Sequence, residues 1–167
     1  MSCGSSCVRY ILKELSIDSV DLDIDMIWIF ELALFLNETL DNEIQLYCYK
    51  SKLLNDYKKS KNSSFIGFVN LKKYFESGKK INKKKLNVKN LKKEIDSSKY
   101  IIMCVESKLL NDDDSMSGGH YIIITECDGD IVKIVNPQKD KYQLKKMSLK
   151  DTVRLSNKFG SWRILIK

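Results

Sequence analysis

The hydropathy period changes once along this chain, near residue 100, and that change limits the fold more than any other feature. Before it, apolar residues recur at spacings of three and four. In 3–15, Cys7, Val8, Ile11, Leu12 and Leu15 make one face of a helix, and Gly4, Ser5 and Ser6 suit its start. In 24–38 the pattern repeats with Ile24, Ile27, Trp28, Glu31, Leu34 and Phe35, and Asp23 or Asp25 is the expected cap. Phe65, Phe68, Leu71, Lys72 and Phe75 predict a helix over 64–76, and a short one is predicted over 88–96. Between them, 43–50 alternates as a strand. After the change, β-branched and aromatic residues dominate, and 100–106, 120–127, 130–137, 141–147 and 162–167 read as strands. A short helix over 148–156 precedes the last of them. Asp128-Gly129 is a tight hairpin signal. Helices first and antiparallel strands afterwards make an α+β fold, with N-terminal helices packed on a C-terminal antiparallel β-sheet. At 167 residues, with no internal repeat and no linker, the chain reads as one domain, 1–167.

Composition removes several classes. With 43% hydrophobic and 31% charged residues the chain is globular rather than disordered. No apolar run reaches the roughly 18 residues of a membrane span; 24–36 is broken by Asp25 and Glu31. The N-terminus lacks a basic stretch followed by an apolar one, so no secretory signal is expected. The five cysteines are odd in number and only Cys3 and Cys7 are close in sequence, which fits a reducing compartment and a cytoplasmic location. The net charge is +7, carried almost wholly by Lys, with Arg only at positions 9, 154 and 163. Base readout favours Arg, so nucleic acid is not the expected partner. The Lys surplus, dense over 79–93, reads as solvated surface, with an acidic partner as its functional alternative.

The residues able to do chemistry come in a particular order. His120 is the one histidine; it follows Gly118-Gly119 and opens a strand. Asn136-Pro137 ends the next strand of the hairpin, so antiparallel pairing brings His120 and Asn136 side by side. An amide oxygen accepting from one ring N–H leaves the other ring nitrogen for a nucleophile. Cys3 sits at a helix start, where free N–H groups and the helix dipole favour thiolate. Each residue alone has a bland reading: a turn histidine, a terminal thiol, an Asn-Pro turn. Cys, His and Asn in this order is the sequence that Cys-His-Asn proteases use. Gly118 and Gly119 are read as letting a substrate backbone approach His120. Asp112, Asp113 and Asp114 read as a solvated loop, or as a cation or basic-substrate site. One histidine and dispersed cysteines give no zinc spacing, and no cofactor is expected. Trp28 and Trp162 are read as packing aromatics, and Cys48, Cys104 and Cys127 as small hydrophobes.

These motifs carry a resemblance. Cys3-Gly4-Ser5-Ser6-Cys7-Val8 ahead of an amphipathic helix resembles the Cys-Gly-x-x-Cys-Leu opening of the bacterial C39 and C39-like peptidases. Those are papain-fold domains that trim leader peptides after a double glycine. Gly119-His120-Tyr121-Ile122-Ile123-Ile124 is similar to their His-Tyr/Phe-Val-Val strand, and Asn136-Pro137 stands where they have Asp-Pro. The likeness spans nearly the whole chain, in outline only over 40–98. It implies a papain-like fold and a cysteine peptidase that works through an acyl-enzyme on a peptide or acyl substrate. It makes Cys3 the nucleophile, His120 the general base and acid, and Asn136 the orienting residue. Cys7 would then be a buried helix residue, though papain's Cys-Gly-Ser-Cys-Trp offers Cys7 as the alternative nucleophile. The same layout recurs in acyltransferases that handle carrier-protein thioesters and in a eukaryotic guanylyl-cyclase-like family, so an acyltransferase or amide synthase stays open. The family places a Gln ahead of its nucleophile to donate to the oxyanion. Only Met1 and Ser2 precede Cys3 here, so either the chain start is truncated or the hole is built otherwise, with the backbone N–H of Cys3 as one candidate donor. A catalytically dead interaction domain is the third reading.

Overall fold

The computed structural model describes residues 2–17, 28–59, 65–107, 118–138 and 141–167. In chain order these form α1 (Cys3–Glu14), α2 (Ile29–Thr39), β1 (Ile44–Cys48), α3 (Lys52–Lys59), α4 (Ile66–Glu76), β2 (Ile81–Lys83) and α5 (Val88–Asp96). Then follow β3 (Tyr100–Glu106), β4 (Gly119–Asp128), β5 (Ile131–Gln138), β6 (Lys141–Ser148), α6 (Leu149–Asn157) and β7 (Arg163–Ile166). The α+β class expected from the period change holds. The sheet is larger than expected, with seven strands in the order β2-β1-β7-β3-β4-β5-β6. It draws β1 and β2 from the first half of the chain, and β1–β2 is a parallel pair, Leu46 facing Ile81. The other neighbouring strands are antiparallel.

Helices cover both faces of the sheet. On one face Cys7, Val8 and Ile11 of α1 and Phe30, Leu32 and Leu36 of α2 pack on Ile102, Ile123, Val135 and Ile164. On the other, Leu91 and Ile95 of α5 and Leu149 and Leu155 of α6 pack on Ile101, Met103, Ile122, Ile124, Ile134 and Leu165. Successive strand residues point to opposite faces, so a strand covered on both sides reads as a continuous apolar run. That is why 100–105 and 121–124 show little alternation.

Side-chain caps fix the helix starts. Ser2 Oγ accepts from the Ser5 N–H at 3.2 Å, Asn87 Oδ1 from the Asn90 N–H at 2.8 Å, and Ser148 Oγ from the Asp151 N–H at 3.0 Å. Replacing Ser148 with Ala is expected to cost about 1 kcal/mol in denaturant unfolding, because the first turn of α6 loses its acceptor. For α2, Glu31 does the capping expected of Asp23 or Asp25: its carboxylate accepts from the Trp28 N–H at 2.8 Å. Residues 23–27 lie outside the described part. The helix expected over 64–76 is present as α4, but it buries Gly67, Leu71 and Tyr74, leaving Phe65 and Phe75 exposed. A hydrogen bond from Asn70 to Glu31 sets that rotation against α2. Neither α3, whose one buried residue is Leu54, nor the three-residue β2 is legible as a period.

Candidate active site

A β-bulge decides which side chains share a face here. Near the Asp128-Gly129 turn, β4 and β5 pair as Asp128↔Ile131, Cys127↔Val132 and Glu126↔Lys133. Beyond the irregularity the pairs are Ile124↔Ile134 and Ile123↔Val135, so Thr125 is the extra residue. A one-residue slip exchanges the faces of everything beyond it. Without the bulge, Asn136 would continue opposite Ile123, on the face of Tyr121. With it, Asn136 falls in line with Ile122 and His120. The result is a hydrogen bond of 2.6 Å between His120 Nε2 and Asn136 Oδ1, with Asn136 fully buried. Nδ1 of the ring has no hydrogen-bond partner among the described residues.

The pairing of β4 with β5 ends at Ile123↔Val135. Pro137 has no N–H to prolong it, and from there β4 pairs with β3 and β5 with β6. The two strands thus part at the end that carries His120 and Asn136. Cys3 approaches the neighbouring residue, Tyr121, from the α1 side, the face of the sheet opposite to that of His120, Ile122 and Asn136. Backbone groups of Tyr121, the residue after His120, and of Cys3 and Gly4 act on the Cys3 sulfur to lower the thiol pKa. The last two belong to the first helical turn, where N–H groups have no carbonyl partner. Ser5 and Ser6 donate instead to Ser2 Oγ and the Ser2 carbonyl. The structure therefore joins His120 to Asn136 and sets Cys3 against Tyr121, but no hydrogen bond links the Cys3 sulfur to the imidazole. Cys7 is fully buried one turn into α1, as a helix-core residue.

Burial sets the charge state of both groups. Desolvation raises the Cys3 thiol pKa above its ordinary value of 9.0, outweighing the three backbone groups. Desolvation also lowers the His120 pKa below 6.5, against the opposing effect of the Asn136 bond. At neutral pH the resting pair is thiol and imidazole, not thiolate and imidazolium. Iodoacetamide should accordingly label Cys3 slowly at pH 7, with a rate that keeps climbing past pH 9. A rate already flat from pH 5 would show an ion pair instead. Burial of His120 also links folding to pH. Its folded pKa lies below the unfolded one, so the unfolded chain takes up the proton first. The stability tied to this group is complete above the unfolded value of about 6.5 and is lost as pH falls from there through the folded value.

A cavity of about 470 Å³ adjoins the thiol. Cys3, Cys104, Gly119 and Tyr121 line it together with Trp28, Phe30, Leu53, Phe159 and Trp162. Of the two expected substrate-binding glycines, Gly119 is in the lining, and a Cβ there would meet Cys104 Sγ at 3.0 Å and the Phe159 ring at 3.2 Å. Gly118 is outside it, and its carbonyl accepts from the Ser107 N–H at 3.1 Å. Trp28 and Trp162 pack against the α1 core, as read from sequence, and face the cavity as well. Cys104, read as a strand hydrophobe, also reaches this space. Phe159 and residues 51–53 carry no sequence signal, and Tyr49 and Lys50, expected within the strand over 43–50, lie beyond the end of β1; a hydrogen bond of 2.7 Å from the Tyr49 N–H to the Gly160 carbonyl joins the two walls. Asp112, Asp113 and Asp114 lie outside the described residues. Among the described residues no group of three or more His, Cys, Asp or Glu is placed to hold a metal ion, and no helix is long and apolar enough to cross a membrane. Set against protein-family models, curated proteins and solved structures, the chain matches none of them.

Proposed function

We propose that this chain is a thiol hydrolase of the cysteine-peptidase type, with a papain-like arrangement of the C39-like kind. The observation that carries the reading is the 2.6 Å bond between His120 Nε2 and the buried Asn136 Oδ1, at the end where β4 and β5 part, with Cys3 near the backbone of the adjacent Tyr121. An acceptor on Nε2 favours the tautomer with its proton there and a lone pair on Nδ1, the atom a general base uses. The chain order of α1 with Cys3, β4 with His120 and β5 with Asn136 supports the papain-like reading of the α+β fold.

The chemistry starts from the neutral pair. Cys3 and His120 rest on opposite faces of β4 with no bond between them, so the two side chains must close on each other around the strand end as substrate enters; Nδ1 then takes the thiol proton. The sulfur attacks the carbonyl carbon. The N–H groups of Cys3 and Gly4, at the positive end of α1, donate to the developing oxyanion, a task the family gives in part to a Gln side chain. Nδ1–H then protonates the leaving amine nitrogen, the C–N bond breaks, and a thioester remains on Cys3. Water attacks that thioester, gives its proton to Nδ1, and the C–S bond breaks as the thiol is re-formed. Throughout, Asn136 holds the imidazole through Nε2–H.

Incubation with peptide thioesters and amides, read by intact mass, tests the reading. A transient acyl adduct on Cys3, absent from Cys3→Ser, is the expected result. Added glycinamide separates the relatives of this site: a hydrolase releases mainly acid, whereas an acyltransferase diverts the acyl group to the amine. No adduct on Cys3 with any acyl donor would leave the interaction-domain reading.

A further inference from the structure

We infer that the cavity beside Cys3 selects a peptide with a large apolar side chain flanked by carboxylates. This rests on the thiol-hydrolase reading and names its substrate class. Three observations carry it. First, the space has the size of a ligand site, about 470 Å³. Its more buried lining is aromatic: Trp28 and Phe30 stack with ring centroids 5.8 Å apart and planes within 6° of parallel, and Phe159 and Trp162 belong to the same lining. A Phe or Leu side chain fits such a lining, and small polar residues gain little there.

Second, the cavity is one-sided in charge. Lys50, Lys52 and Lys158 belong to its described lining and no Asp or Glu does. All three lysines are exposed, so they stand at the rim while the aromatic part of the lining is more buried. Lys158 is neutralised by an ion pair with Glu106. Lys50 and Lys52 have no ion pair among the described residues; Lys50 Nζ lies 5.7 Å from the centroid of the Tyr49 ring. Two unpaired ammonium groups beside an apolar space attract carboxylates and repel basic residues.

Third, the rim is held in place. Gly160, with φ +74°, packs so closely that a Cβ would lie 3.1 Å from the Lys50 carbonyl oxygen. Its own carbonyl accepts from the Tyr49 N–H at 2.7 Å. The Lys50–Ser51 backbone is thereby fixed against the α6–β7 turn, and the two lysines on this segment, Lys50 and Lys52, both belong to the cavity lining.

The test uses the full chain as Cys3→Ser, so that binding is read without turnover. Trp28 and Trp162 are its only tryptophans and both line the cavity, so indole fluorescence reports occupancy. Three capped peptides are compared: Glu-Glu-Phe-Glu, Lys-Lys-Phe-Lys and Glu-Glu-Ala-Glu. The first should bind at least about tenfold tighter than the alanine peptide, as loss of a buried aromatic side chain requires. It should also bind several-fold tighter than the lysine peptide, by an amount that shrinks with added salt. In Lys50→Glu/Lys52→Glu the order of the acidic and basic peptides should invert, whereas Lys89→Glu on α5 should leave it unchanged. Equal binding of all three peptides, or no inversion, overturns the inference. The same peptides mixed with the protein that retains Cys3 keep the two readings apart. Cleavage without the binding preference overturns the pocket inference alone. The preference without any Cys3-dependent cleavage or adduct supports the pocket and overturns the hydrolase reading.

Discussion

Replacing His120 with Ala should lower kcat/KM for a cleaved peptide by roughly 10²–10⁴ while leaving the fold intact, the range a positioned general base contributes. The side chain is only half-buried and ends at the parting of two strands, so its loss removes little packing. Asn136→Ala should cost less than the His120 change, because the imidazole survives and loses only its acceptor. Asn136→Asp separates orientation from mere structure. A carboxylate keeps an acceptor for Nε2–H and adds a negative charge that favours imidazolium. Activity should therefore return in large part, with the acid limb of the pH–rate profile moved to higher pH. An Asp variant as impaired as the Ala variant, with an unshifted profile, would make Asn136 a structural residue only.

The second large effect lies away from the site. Arg163 of β7 is fully buried on the α5 side of the sheet. Its Nε and Nη2 donate to the two carboxylate oxygens of Glu94 at 2.6 and 2.9 Å, and Nη1 donates to the Ser161 carbonyl at 2.9 Å. The guanidinium carbon lies 4.9 Å from the centroid of the Tyr47 ring, and Lys84 Nζ adds a second ion pair to Glu94 at 3.0 Å. Burial by itself would raise the Glu94 carboxyl pKa; the Arg163 and Lys84 charges outweigh it and hold the pKa below the ordinary 4.5. Arg163→Met leaves that carboxylate buried with half its partners. It should cost about 3–5 kcal/mol, or on the order of 10 °C in Tm. Arg163→Met/Glu94→Leu should regain most of the loss, since an apolar pair of similar volume carries no charge to desolvate. Glu94 also sets an acid limit. Its folded pKa is depressed, so its contribution is present above the unfolded value and is lost as pH falls through the folded one. Stability equal to wild type in Arg163→Met would refute this role.

The helices and strands that bury a face were legible because burial imposes a period. Ile11 and Leu12 on α1, and the runs at 100–105 and 121–124, report their surroundings directly. Segments that bury almost nothing left no such mark, which is why α3 and β2 were missed. The pairing of His120 with Asn136 was legible as two positions on one hairpin. The bulge at Thr125, which puts both on one face, was not, because the turn at Asp128-Gly129 alone predicts the opposite face. The Lys158–Trp162 wall of the cavity and the Arg163–Glu94 pair join residues far apart in sequence. Only the sheet order, with β7 between β1 and β3, brings them together.

The central claim is that Cys3 is a nucleophile served by His120. The most direct measurement is the rate at which a peptide thioester acylates each of the five cysteines, mapped by peptide mass at pH 7 in wild type and in His120→Ala. The account predicts acylation of Cys3 far ahead of Cys7, Cys48, Cys104 and Cys127, slowed by roughly 10² or more when His120 is removed. Cys3 acylated at the same rate in both proteins, or no faster than Cys127, would contradict it.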